Sequence, residues 1–189
     1  MKKSSKILFY IILFGMELGL VAIAAVVLAV KEQPPDSIFT LPYPVTTQVA
    51  VGITSGLFSG FITTILVLKL TVFSVIHRIV KELISTFRLN IYDLFLTSVT
   101  AGVCEEILFR GVLQPMWGIY ITSFIFILIH GYFSPSNWQV TLFGALMFIV
   151  SIVIGVIYEI IGLYSSIAFH FSFDLVALLL VFFRMRQVE

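Results

Sequence analysis

The chain has 189 residues, 60% of them hydrophobic and only 11% charged, with a formal net charge of +1 and a mean hydropathy of +1.12. Soluble domains carry about 25% charged residues, so this composition excludes a water-coated globule and implies an integral membrane protein. The near-neutral balance, with no long basic tract, gives no argument for nucleic acid. Cys104 is the only cysteine, which excludes an intramolecular disulfide and a multi-cysteine metal site.

The first apolar run, Ile7 to Val30, follows a basic start and is interrupted only by Glu17. It exceeds the roughly 7–15-residue apolar region of a signal peptide, so it is expected to remain as the first helix. Pro34, Pro35, Pro42 and Pro44 then end it, and prolines at that density describe an exposed loop. A second run covers about Thr46 to Phe73. Its Gly52, Gly56 and Gly60 recur every fourth residue, a spacing that lets a neighbouring helix approach closely.

From Val75 to Asn90 the character changes. His77, Arg78, Lys81, Glu82 and Arg88 interleave with Ile76, Val80, Leu83, Ile84 and Phe87, the pattern of a helix lying in the membrane interface. The third span is expected from Ile91 to Gln114, ended by Pro115, Met116 and Trp117. A shorter run, Ile119 to Ile129, leads to His130 and the loop GYFSPSN; a fifth span covers Trp138 to Ile161 and a sixth runs from Leu163 to Arg184. The expected architecture is all-α: a single polytopic bundle over residues 1–189, with about six spans and one interfacial amphipathic helix. With six spans, Lys2, Lys3 and Lys6, then Arg78, Lys81 and Arg88, then Arg184 and Arg186 all fall on one side. Both termini are therefore expected in the cytoplasm.

The third span carries AGVCEEILFRG, with Glu105, Glu106 and Arg110 in an otherwise apolar run. A charge at the bilayer centre costs about 2.5–3.5 kcal/mol on insertion scales, so such groups face a protein interior and mark a function. The other spans add His130, His170, Asp174 and, separately, Glu17. Residues four apart share a helix face, so Glu106 can pair with Arg110 and His170 with Asp174. Glu105 points about 100° away from Glu106 and is left free to act. Glu17 has no partner in its own helix; it could line the same cavity as those groups, but a structural or interfacial role is expected. Cys104 reads as a small buried residue rather than a nucleophile.

A carboxylate and two histidines converging inside a membrane suit hydrolysis, with glutamate taking a proton from water and histidine sharing that work or stabilising an oxyanion. The same groups could hold a divalent metal such as zinc through Glu105, His130 and His170. No H-E-x-x-H spacing signals one. A structural ion pair, or a proton relay in a small transporter, would use the same residue types.

At these residues the chain resembles a known family. EEILFR (Glu105 to Arg110), FILIH (Phe126 to His130) and HFSFD (His170 to Asp174) match, in order, the three motifs of the CPBP (Abi) family, which includes CAAX proteases and bacteriocin-processing enzymes. The resemblance lies within a core of about residues 91–184. It implies an intramembrane endopeptidase of the type II CAAX prenyl protease kind, acting on a membrane-embedded or lipidated peptide within the lipid bilayer. It further implies that Glu105 and His130 activate water, that His170 and Asp174 serve the oxyanion, that Glu106 and Arg110 support the site, and that Phe126 shapes the pocket. Many members have Asn where this chain has Asp174, and an ionised carboxylate cannot donate to an oxyanion. No cofactor is expected on the glutamate-type mechanism; the metallo-type reading and a non-catalytic immunity or scaffold role are the alternatives.

Overall fold

In the computed structural model, residues 4–39 and 42–186 are described, and all regular structure among them is helical. The helices are α1 (Ser4–Val30), α2 (Val45–Lys69), α3 (Ser74–Phe87), α4 (Ile91–Glu106), α5 (Gln114–Ile129), α6 (Trp138–Ile161) and α7 (Leu163–Arg186). A widened π-helical stretch, Ile107–Leu113, joins α4 to α5 without a break. Five helical segments are long and apolar enough to cross a membrane, the third being Ile91–Ile129 taken as one. The chain is an integral membrane protein built as an α-helical bundle.

That third segment is not straight. Gly118 adopts φ 76° and ψ 169°, a conformation essentially reserved for glycine. Glu105 and His130, 25 residues apart, would be separated by roughly 37 Å along a straight helix, yet their side chains lie 3.5 Å apart. The chain therefore turns back on itself at Gly118, and α5 packs against the stretch it has just left, with Phe126 on Phe109. The sequence expectation of two legs here holds, but the first does not stop at Pro115. A regular α-turn would drive the Pro115 ring into the carbonyl of Gly111. The widened turn, with the Gln114 amide reaching back to the Phe109 carbonyl, removes that conflict and carries the helix on to Trp117. The returning leg, from Ile119, is only about 16 Å long, so it brings His130 to the depth of Glu105 rather than across a core of about 30 Å.

A second single-residue reversal occurs at Gly162, φ 121°, which folds α7 back along α6. The α2 glycines then set the closest approach in the bundle. A methyl group at Gly52, Gly56 or Gly60 would meet α7 backbone atoms of Ser165, Phe169 and Phe173 at 2.3–2.8 Å. This is the tight packing their spacing predicts.

The Pro-rich segment is less exposed than its composition predicts. A short 3-10 turn, Pro35–Ile38, buries Ile38 among Leu108, Phe109 and Val112, because Gly111 has no side chain and leaves a socket for it.

The helix α3 is too short to cross and lies over one end of the bundle. Ile84 packs with Phe9 of α1 and Phe182 of α7, Ile76 packs near Phe143 of α6, and Arg78, Lys81 and Glu82 remain exposed. Lys6, Lys69, Arg78, Lys81, Arg88, Arg184 and Arg186 all belong to this end, against Lys31 alone at the other. His77 adds no charge at neutral pH, because burial, with Arg184 and Lys81 nearby, holds its imidazole below the usual histidine range. A buried tie fixes α1 to this end: Asp93, which closes the capping box of α4, binds Lys6 at 2.6 Å and accepts a hydrogen bond from Tyr10.

Candidate active site

Glu106 and Arg110 are completely buried. Arg110 Nε donates to Glu106 Oε2 at 3.1 Å, and Arg110 Nη2 donates to Ser151 Oγ of α6 at 2.8 Å. The guanidinium also lies over the Phe126 ring, 5.6 Å from its centre. A charge this deep requires a partner within hydrogen-bond reach; Glu106 supplies it and Ser151 holds a second donor. The other oxygen of Glu106, Oε1, accepts from His170 Nδ1 at 2.9 Å. One carboxylate thus ties α4, the π-helical stretch and α7 together, and fixes the ring of His170.

His130 is fixed in the same manner by its own helix, its Nδ1 donating to the Phe126 carbonyl at 2.7 Å. Since a carbonyl only accepts, that nitrogen carries the proton, and in the neutral ring Nε2 keeps a free lone pair. Both histidines therefore turn Nε2 the same way. His130 Nε2 lies 3.5 Å from Glu105 Oε2, and His170 Nε2 lies 3.9 Å from that atom and 3.5 Å from Asp174 Oδ2. Phe126 fills the space between the imidazoles, 4.2 Å from one ring centre and 5.9 Å from the other.

Glu105 is 9% exposed, and its Oε2 has no hydrogen-bond partner, the histidine separations being too long for a good bond. Glu105 lines a cavity of about 410 Å³ together with Gly15, Met16, Gly19, Leu20 and Ile23 of α1, Ile129 and His130. A methyl group at Gly15 or Gly19 would meet nothing within 4 Å. These two glycines therefore face open space, unlike those of α2. The cavity joins the carboxylate to an apolar wall.

The structure brings together all six residues singled out in the sequence: Glu105, Glu106, Arg110, His130, His170 and Asp174. It adds two neighbours that had no local signal, Ser151 and Tyr132, and a third, Glu17, whose charge stood out in the first apolar run. Ser151 is an ordinary serine in an apolar helix until Arg110 reaches it. Tyr132 stacks on His130, ring centres 5.5 Å apart, from the loop after α5. Glu17, expected to be structural or interfacial, is buried beside the same groups.

Glu105, His130 and His170 have the donor types of a zinc site. Among the described residues, however, no three His, Cys, Asp or Glu side chains are gathered as metal ligands.

Residues 86–176, just under half of the chain, match the family model described as type II CAAX prenyl endopeptidase Rce1-like. This region is similar to the Rce1-like family. The matched stretch contains all six site residues and both glutamate-bearing and histidine-bearing motifs. No curated protein and no solved structure matches the chain. The match supports a CAAX-type intramembrane endopeptidase in general class, and such a family implies a prenylated or membrane-associated protein as substrate. Ser151 falls inside the matched range; Glu17 falls outside it.

Proposed function

We propose that this chain is an intramembrane endopeptidase of the glutamate type, in which Glu105 activates the hydrolytic water. The observation that supports this most is the division of the two adjacent carboxylates. Glu106 is consumed by Arg110 and His170, whereas Glu105 Oε2 is buried, without a hydrogen-bond partner, and faced by two imidazole nitrogens. Water held by Glu105 gives up one proton to that carboxylate as its oxygen attacks the carbonyl carbon of the scissile peptide, and His130 Nε2, 3.5 Å from Glu105 Oε2, shares the proton taken. A C–O bond forms, the C–N bond breaks, and the proton passes to the leaving nitrogen.

His170 serves the oxyanion. Doubly protonated, it donates from both nitrogens, with Glu106 accepting at Nδ1 and Nε2 available to the developing charge. Asp174, 3.5 Å from Nε2, supports that charged ring instead of donating to the oxyanion itself. The apolar cavity wall of Met16, Leu20, Ile23 and Ile129 suits the lipid chain or membrane segment of a substrate. The basic end of the bundle, where α1 begins and α7 ends, faces the cytoplasm on this reading.

The metallo-type reading uses Glu105, His130 and His170 as ligands; a zinc ion there would polarise the carbonyl and lower the pKa of bound water. A panel of farnesylated and unmodified membrane peptides, incubated with the purified protein with and without a strong chelator, separates the two. Cleavage that survives chelation is the expected result. Cleavage abolished by chelation and restored by zinc would establish the metallo-type reading. A protein that cleaves none of the panel would favour an immunity or scaffold role.

A further inference from the structure

Glu17 is the one buried carboxylate that the chemistry above leaves without a task. It projects from the middle of α1, outside the family-matched region, and is 6% exposed. Its Oε2 is buried and has no hydrogen-bond partner. Most of the other residues of α1 with described side chains face outward, and the helix is tied at its start through Lys6 and Tyr10 to Asp93. Nothing of that tie reaches Glu17, a further seven residues along.

What does reach it is the site. Gly15, Met16, Gly19 and Leu20, on either side of it in α1, line the same cavity as Glu105 and His130; with Lys6 held by Asp93 at one end and Ala24 clustered with Leu108 further along, α1 runs beside α4 and brings Glu17 to the level of Glu105. Among the described residues Arg110 is the only buried lysine or arginine, and it is committed to Glu106 and Ser151. Two buried carboxyl oxygens in one site, Glu17 Oε2 and Glu105 Oε2, are therefore both without a protein donor. An unmade hydrogen bond at a buried oxygen is costly, and protein side chains do not supply the missing donors here. A single molecule with two O–H groups does.

We propose that Glu17 is a further residue of the hydrolytic site, accepting the second O–H of the water that Glu105 activates. This rests on the reading of Glu105 as the base. The water then donates one hydrogen to each carboxyl group, which aims an oxygen lone pair at the scissile carbonyl. The proton transferred in the reaction still goes to Glu105, and Glu17 keeps its hydrogen bond throughout. The first helix, in this arrangement, contributes to the chemistry as well as to the cavity wall.

The experiment compares Glu17→Leu, Glu17→Gln and Glu105→Gln with the parent protein, using the peptide that the panel above identifies. Glu17→Leu is expected to lower kcat by about tenfold to a hundredfold, the scale of a misplaced reacting group, with KM within about twofold and no loss of thermal stability. Glu17→Gln, which retains an accepting oxygen, should fall between the two. Glu17→Leu at the parent kcat, with Glu105→Gln inactive, would overturn the role of Glu17 alone. Cleavage by Glu105→Gln would instead overturn the reading of Glu105. A second measurement does not depend on turnover: the infrared carboxyl band lost in Glu17→Gln should shift in Glu105→Gln if the two share a water. A band unmoved by Glu105→Gln would count against the proposal.

Discussion

Replacing Gly56 by alanine adds one methyl group at the point where α2 and α7 touch most closely. The new carbon would lie 2.3 Å from the Phe169 carbonyl oxygen and 2.9 Å from Phe169 Cα, against an ordinary separation of about 3.5–4.0 Å. Both are backbone atoms that cannot swing aside, whereas the third neighbour, Ser172 Oγ at 2.2 Å, ends a short side chain. The helices must therefore separate by on the order of 1 Å, a distortion that costs about 1–3 kcal/mol in a packed core. Phe169 immediately precedes His170, so the displacement is delivered to the ring that binds Glu106. A misplacement of about 1 Å can cost roughly a hundredfold in rate. Thermal unfolding of the detergent-solubilised variant, together with its cleavage rate, reads both effects. Gly19→Ala is the control for stability, since its methyl group meets nothing within 4 Å and helix propensity favours alanine by up to about 1 kcal/mol. If Gly56→Ala proved as stable as Gly19→Ala and as active as the parent, the argument that α2 glycines set the position of α7 would be wrong.

Two further outcomes follow from the buried network. Glu106→Gln leaves Arg110 buried without its counter-ion, a loss of about 3–5 kcal/mol, and is expected to give a poorly folded protein by thermal unfolding; a variant with unchanged stability would contradict the pairing. Asp174→Asn keeps an oxygen that can accept from His170 and should retain cleavage within about tenfold, while Asp174→Ala should lose more. Equal loss in both would show that the negative charge itself is required.

The features legible in the sequence were those carried by local composition and short spacing. Apolar runs gave the helices, the interleaved basic residues from Val75 to Asn90 gave α3, and the four-residue glycine spacing gave the α2 contact face. The pairing of Glu106 with Arg110 was legible because both lie on one helix. The link from Glu106 to His170 was not, since 64 residues separate them and only the packing of α4 on α7 brings them together. The same limit hid Ser151, Tyr132 and the burial of Glu17. The helix before Gly118 runs three residues further than expected, from Gln114 to Trp117, because Pro115 is the stronger helix-breaking signal and the π-helical stretch that accommodates it has no sequence mark. Ile38 was missed within a proline-rich loop because its socket is the absent side chain of Gly111, distant in sequence.

The central claim is that Glu105 performs the hydrolysis while Glu106 holds the site together. Glu105→Gln changes one oxygen to an amide at a position whose Oε2 makes no hydrogen bond to the protein, so the variant should fold as the parent does. Its cleavage of the membrane peptide, measured under single-turnover conditions beside the parent protein, is expected to fall by at least about a hundredfold, the lower end of what a general base supplies. A folded Glu105→Gln protein that cleaves at the parent rate would contradict the account.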